Sequence, residues 1–417
     1  MNNKEKIKYI DLFAGCGGLS LGLGMAGLQG IFAIEKDSMA FTTFKHNLVD
    51  KKQSHFAWPK WLPKESVSIQ EVLHFYHDQI KSLKGQIDLI VGGPPCQGFS
   101  LAGRRKSNDP RNKLSEEYIK MVELISPNFL ILENVKGFNT SFKKFDGKNQ
   151  VPYSMLVRNK LEKLGYKIFS DYVCSAEYGV PQVRTRFIMI GIKQKLLKET
   201  LVNPFEILKD SREAFLSSKG LPLEPISVHD AINDLRIGFN GTKYHSGGAE
   251  KGFKQIDYKA TEINNKYLDL MRKDMGVAAP NSLRLARHKP STVNKFRLIQ
   301  SICKPGISLN DSMRQQLGTK KQAISVLNPD LPSKTLTTLP DDLLHYSEAR
   351  ILTVREMARI QSFPDSFDIL GKYTTGGSRR TQECPRYTQV GNAVPPLLGE
   401  VLGLLITKLS SCIKDEI

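Results

Sequence analysis

The chain has 417 residues, with 60 Lys and Arg against 42 Asp and Glu, for a formal net charge of +18. At about 150 residues per domain, this length gives two or three domains and enough chain to bury a core without disulfide or metal staples. Hydrophobic residues at 40% and charged ones at 24% exclude a disordered chain, and the basic surplus calls for a polyanionic partner, nucleic acid first.

A basic start, Met1 to Lys8, leads into Leu12 to Ile34, which carries no charge over 23 residues. That is long enough to span a membrane, and Phe13-Ala14-Gly15-Cys16 has the form of a lipoprotein cleavage site. Asp11 breaks the apolar stretch before Cys16, however, and seven glycines punctuate the run. It therefore reads as a strand, a tight loop and a helix, and no membrane partner is expected. The strand Lys8 to Phe13 enters the loop Asp11 to Gly18, and a second strand, Ile31 to Ile34, ends at Glu35. Glycines in such a loop let backbone approach a ligand, and an acid closing the next strand can hydrogen-bond a ribose. The pair signals a nucleoside cofactor, open between NAD and S-adenosylmethionine. Ser20 stands where the third glycine of a dinucleotide fingerprint belongs, which disfavours a nicotinamide oxidoreductase.

His74 and His77 share a helical face without a third ligand, so no metal site is expected. The buried-strand run Ile87 to Val91 ends at Gly92-Gly93-Pro94, followed by Pro95 and Cys96. A lone cysteine is commonly a small buried hydrophobe, but one held behind two prolines and between glycines is placed as a nucleophile. Because the thiolate attacks, a cationic or helix-dipole field would have to lower its pKa from about 8.5. After a helical pattern at Glu116 to Ile125, the strand Phe129 to Leu132 ends at Glu133. A carboxyl there is poorly solvated, so its pKa tends to rise and suits it to donate a proton; capping of the next helix is the plainer role. A helix at Ser154 to Leu164 precedes Gln182-Val183-Arg184-Thr185-Arg186 and the strand Phe187 to Ile192. Arginines two apart on a strand face the same side. Strand–helix alternation through residue 194 predicts an α/β domain with a mostly parallel sheet and its functional side chains at the strands' carboxyl ends.

From Lys195 to Ser347 the alternation fades. No acidic residue occurs between Met275 and Asn310, a stretch holding Arg284, Arg287, Lys289, Lys295, Arg297 and Lys304. A helix returns at Thr353 to Ser362. Leu397 to Leu409, interrupted by Glu400 and Lys408, is a core helix. The six cysteines include no CxxC pair, which argues against a zinc ribbon or a disulfide scaffold and for a reducing cytoplasm.

The segments DLFAGCGG (11–18), GGPPCQGFS (92–100), ENV (133–135), QVRTR (182–186), RILTVREMARIQSFPDSF (350–367) and GNAVPP (391–396), in that order, resemble the motifs of DNA cytosine-5 methyltransferases of bacterial restriction–modification type. The resemblance implies the S-adenosylmethionine-dependent methyltransferase fold, an α/β doubly wound, mostly parallel sheet, with a smaller, loop-rich target-recognition domain. It places the catalytic and cofactor domain at 1–194 plus 386–417, the recognition domain at 195–348 and a connecting motif region at 349–385. It implies Cys96, Glu133, Arg184 and Arg186 as catalytic residues. Phe13, Gly15, Gly17, Glu35, Pro95, Leu114 and Asn392 would line S-adenosyl-L-methionine. Gln97 to Asn112 matches the loop that closes over DNA, with Ser100, Arg104, Arg105 and Lys106 as contacts. Expected partners are double-stranded DNA, from which the cytosine is flipped, and a cognate restriction endonuclease; the enzyme would act as a cytoplasmic monomer. One position departs: Ser68, before Ile69, stands where the family often has an adenine-binding aspartate, a role that Glu71 could take. Other readings are an RNA cytosine-5 methyltransferase and a non-catalytic DNA-binding protein on the same scaffold. The presence of the cysteine, the glutamate and both arginines argues against the latter. The target sequence is not legible in residue spacing.

Overall fold

A computed structural model describes residues 6–51, 54–95, 113–140, 142–143, 149–197, 203–245, 250–259, 265–375, 379 and 382–414. Cys96, Ser100, Arg104, Arg105 and Lys106 lie outside this set. The chain divides into two compact units. The first comprises Met1–Cys174, Thr185–Arg212 and Leu398–Ile417; the second comprises Ser175–Arg184 and Glu213–Leu397.

The first unit is built on a six-stranded sheet: β1 (Lys8–Leu12), β2 (Gln29–Ile34), β3 (Leu89–Gly92), β4 (Phe129–Asn134), β5 (Tyr166–Cys174) and β6 (Thr185–Lys193). Their spatial order is β2-β1-β3-β4-β6-β5. Neighbours among β2, β1, β3 and β4 run parallel, while β6 is antiparallel to both β4 and β5. β1, β3 and β4 read as apolar runs because both faces of their sheet are covered. On one face Ile10 and Leu12 join a buried cluster with Phe32, Ile34, Tyr118 and Val122. On the other, the Ser20 hydroxyl of the helix Gly18–Met25 donates to Asp11 at 2.5 Å, and the Tyr9 hydroxyl donates to the Ser20 carbonyl at 3.1 Å. The C-terminal helix, Pro396–Lys414, buries Leu398, Val401, Leu402, Leu405, Ile406 and Leu409, so it is core rather than lipid-facing.

Two features differ from the sequence reading. The apolar run from Phe129 continues as strand through Asn134, which places Glu133 within β4 rather than beyond it. β5 escapes a search for apolar runs because it is an edge strand paired to β6 alone, with Lys167, Ser170 and Asp171 interrupting its buried positions.

The second unit contains only two-stranded pairings among the described residues, with helices that include Lys266–Arg272, Pro290–Ile302, Val354–Ile360 and Arg386–Asn392. Residues 349–385 lie within it. Its interior holds a network of ion pairs around the wholly buried helix Val354–Ile360. Arg359 donates to Asp234 at 2.5 Å and to both oxygens of Asp365 at 2.9 and 2.7 Å. Arg350 binds both oxygens of Glu356 at 2.7 Å, and Glu356 in turn closes a capping box with Thr353. Charges buried this deeply persist only when each is matched and hydrogen-bonded. The arginines of the 350–367 motif are therefore structural.

Candidate active site

The parallel strands end level with one another. Leu12 lies opposite Ile34 and Gly92, and Gly92 lies opposite Leu132. The loops that leave them open along one sheet edge. Antiparallel β6 starts at that same edge, with Phe187 opposite Asn134 and Ile188 opposite Glu133. Residues as far apart in sequence as Leu12 and Gly92 are neighbours here because of that register.

The loop after β1 turns through left-handed backbone at Phe13 (φ 65°), Gly15 (φ 57°) and Gly17 (φ 98°). For a bulky residue such as Phe13 this conformation costs of order 1 kcal/mol or more, a strain typical of ligand loops. The two glycines face different surroundings. A Cβ on Gly17 would lie 2.7 Å from Leu48 and 2.9 Å from Phe44, whereas one on Gly15 would meet nothing within 4 Å. One side of the loop is packed and the other is bare backbone. Glu35 spans the gap between β2 and this loop, its two oxygens accepting the N–H groups of Gly15 at 2.9 Å and Asp37 at 2.8 Å. Burial pushes its pKa upward. Each oxygen keeps a lone pair beyond its backbone bond, which suits the hydroxyls of a ribose. Bare glycine backbone beside an oriented diol acceptor fits the nucleoside part of S-adenosylmethionine. Pro95 follows β3, and Leu114, in the helix Lys113–Ile125, packs against the core, as does Phe13.

Ser68 is brought close to this loop, since the neighbouring Val67 N–H donates to the Glu35 carbonyl at 2.9 Å. Its hydroxyl donates to Glu71 at 2.7 Å, and its N–H reaches the same carboxylate at 2.8 Å, which closes a capping box on the helix Ile69–Phe75. The Ser68 hydroxyl holds the Glu71 carboxyl below its usual range. Both candidates for the adenine contact thus bond each other. Asn392 lies in the second unit, where its carbonyl accepts from Arg184 at 3.5 Å.

Beneath the loop, Asp11 is 1% exposed, and burial pushes its carboxyl up to about 7 from an ordinary 3.8, against the lowering hydrogen bond from Ser20. A folded-state pKa raised in this way gives stability that is complete below about pH 4 and lost as the pH climbs through about 7. Three pKa units bound the loss at about 4 kcal/mol. Urea midpoints should therefore show the advantage of the wild type over Asp11→Asn shrinking from pH 5 to pH 8 and level above that. Parallel pH curves would contradict this assignment.

At the far side of the edge, Glu133 and Arg186 form an ion pair, Oε1 to Nε 2.8 Å, with side chains only 13% and 11% exposed. Arg186 also donates to the Thr185 carbonyl at 3.0 Å. The sequence reading had Glu133 as a lone carboxyl in apolar surroundings; the antiparallel return of β6 supplies it with a guanidinium instead. Gly93 leaves room for the other oxygen, since a Cβ there would lie 3.0 Å from Glu133 Oε2. Sequence reasoning passed over Asn134. It is 3% exposed and its amide donates to the Pro94 carbonyl at 3.1 Å, fixing the turn that leads to Cys96. An amide residue directly after the acid, at the end of an apolar run, was the signal available.

Arg184 and Arg186 do not share a strand face, because β6 begins at Thr185. Arg184 belongs to the second unit, where it is buried and donates to the carbonyls of Leu336 and Gly391 at 3.4 and 3.1 Å. Within that unit these bonds tie Arg184 to the chain before Ala393. The first unit brings the loop of Phe13, Gly15 and Gly17, Glu35, Pro95, Glu133 and Arg186 to one sheet edge and holds Leu114 against its core; Arg184 and Asn392 meet in the second.

A family model for C-5 cytosine-specific DNA methylases matches residues 7–408. The chain is 33% identical over 408 residues to the type II methyltransferase M.DdeI of Desulfomicrobium norvegicum, covering 95% of this chain and 87% of that protein. It is 29% identical to the type II methyltransferase M1.HphI of Haemophilus parahaemolyticus, covering 97% of this chain and 88% of that protein. Among solved structures, a DNA modification methyltransferase encoded within an E. coli prophage superposes with a TM-score of 0.64 at 22% identity, covering 97% of this chain and all of the other. The last likeness concerns the fold alone.

Proposed function

Since the chain belongs to the family of C-5 cytosine-specific DNA methylases, we propose that it methylates carbon 5 of a cytosine flipped out of a specific site in duplex DNA, through a covalent adduct on Cys96. The observation that carries the catalytic part is the Glu133–Arg186 pair, 2.8 Å apart, beside the Gly93-Pro94-Pro95 turn that Asn134 anchors.

Carbon 5 of cytosine is too weak a nucleophile to be alkylated unaided. The Cys96 thiolate adds to carbon 6, forming an S–C bond and sending the ring's electron pair to carbon 5 and toward nitrogen 3. Glu133 presents its Oε2 side to nitrogen 3 and supplies the proton or hydrogen bond that holds this charge. Arg186 keeps Glu133 oriented and offers its remaining donors to the carbonyl oxygen at position 2. S-adenosylmethionine, held by the Phe13–Gly17 loop and Glu35, supplies an electrophilic methyl group on its sulfonium. Once carbon 5 is alkylated, loss of its proton returns the electron pair to the ring and expels the Cys96 sulfur.

A base stacked in the duplex cannot reach these groups, so the reaction requires flipping. Residues 97–112 close over the DNA, with Ser100, Arg104, Arg105 and Lys106 touching its strands. Residues 195–348 read the target, and the chain works as a monomer alongside an endonuclease of the same specificity, in keeping with the type II names of its relatives. Bisulfite sequencing of a plasmid from cells expressing the chain should show protected cytosines at one short recurring sequence. Unprotected plasmid, with methyl groups found only in cellular RNA, would refute the DNA reading.

A further inference from the structure

The second unit contains a cavity of about 610 Å³ walled by guanidinium groups and aromatic rings. The Arg284 guanidinium lies 3.7 Å from the Tyr373 ring centroid and 4.2 Å from that of Phe253. Arg287 stacks on Phe253 at 4.0 Å and Arg386 on Tyr373 at 4.2 Å. Rings on this scale fix an arginine's plane before any ligand arrives.

These arginines are not equally engaged. Arg386 donates to the Gly371 carbonyl at 2.8 Å, to the Ser282 hydroxyl at 3.2 Å and to Glu250 at 3.1 Å. Arg287, which is exposed, donates to the Gly252 carbonyl at 2.5 Å. Arg284 has no side-chain acceptor among the described residues, and its Nε is enclosed without a partner. A guanidinium fixed by two rings and left without acceptors is poised for an anionic oxygen. Arg284 and Arg287 belong to the acid-free stretch from Met275 to Asn310, and Glu250 is the only carboxylate among the cavity's described lining residues.

We propose that this cavity seats a backbone phosphate of the DNA substrate, with Arg284 as its fixed donor and Arg287 at its mouth. Shape decides between phosphate and base. Base edges lie at the floor of a groove and are reached by side chains that project, whereas phosphates form the ridges of the duplex and fit a concave, cationic seat. Phosphate oxygens also accept from a planar guanidinium in paired, charge-assisted bonds. The contact sets register on the duplex and carries no sequence information.

The inference rests on the DNA reading, and the test separates the two. Dissociation constants of the full chain for a cognate and a scrambled duplex are measured against salt for the wild type, Arg284→Gln and Arg287→Ala. Wild-type affinity that is flat in salt refutes the DNA reading itself. Given a salt-dependent wild type, each variant should bind both duplexes about tenfold more weakly and reduce the salt slope by about 1. Unchanged affinity, or a lost preference at a single base pair with the slope intact, overturns the phosphate seat. Thermal melting and S-adenosylmethionine binding report the fold. If Arg284→Gln melts, the exposed Arg287→Ala decides alone.

Discussion

Replacing Cys96 with serine should abolish methyl transfer to duplex DNA, a loss on the order of 10⁴-fold or more, while the folded chain still binds S-adenosylmethionine. The reason is electronic. A serine hydroxyl is not ionised near neutral pH and does not add to carbon 6, so carbon 5 never becomes electron-rich. The cofactor loop Phe13–Gly17 and its acid Glu35 do not depend on that sulfur, being held by the Gly15–Glu35 bond and the packed side of Gly17. Tritiated-methyl incorporation measures the first half of the expectation and calorimetric cofactor titration the second. Turnover retained by the serine variant would remove the nucleophile from the account.

The second large effect belongs to the Glu133–Arg186 pair, and its two halves should fail differently. Glu133→Gln keeps the shape and a hydrogen-bond acceptor toward Arg186 but cannot supply a proton to nitrogen 3, so kcat should fall about 10²- to 10⁴-fold, with a smaller loss of stability than Arg186→Ala because the guanidinium keeps a hydrogen-bond partner. Arg186→Ala also removes the catalytic arrangement, but it leaves a mostly buried carboxylate without its cation and should lower unfolding stability by about 3 kcal/mol. Single-turnover rates and urea unfolding of the two variants distinguish these outcomes. A wild-type single-turnover rate in Glu133→Gln would mean that the pair is structural only.

Much of this site could be anticipated residue by residue because parallel α/β sheets bring their functional groups to the carboxyl ends of strands. Gly15, Glu35 and Glu133 each follow or end an apolar run, and each comes to one sheet edge. What escaped was set by tertiary register rather than local pattern. Nothing in QVRTR tells which arginine will meet Glu133. The answer depends on β6 starting at Thr185 and running antiparallel to β4, which sends Arg186 to Glu133 and leaves Arg184 to backbone carbonyls near Gly391. β5 was missed because an edge strand tolerates polar residues. The buried charges of the helix Val354–Ile360 look like surface residues in sequence, since composition does not show that Asp234 and Asp365 will meet Arg359. The basic surplus was visible at once, but its placement was not. Three of its arginines are held by Phe253 and Tyr373 around one cavity, and those rings come from separate parts of the chain.

The central claim is a covalent bond between Cys96 and the target base. A duplex carrying 5-fluorocytosine at the methylated position tests it, because fluorine cannot leave carbon 5 as a proton does and the final elimination is blocked. In the presence of S-adenosylmethionine the wild type should form a denaturation-resistant protein–DNA adduct whose mass maps to the peptide containing Cys96, and Cys96→Ser should form none. Full methylation of normal duplex by an enzyme that yields no adduct on the fluorinated one, or an adduct that maps to another residue, would contradict the account.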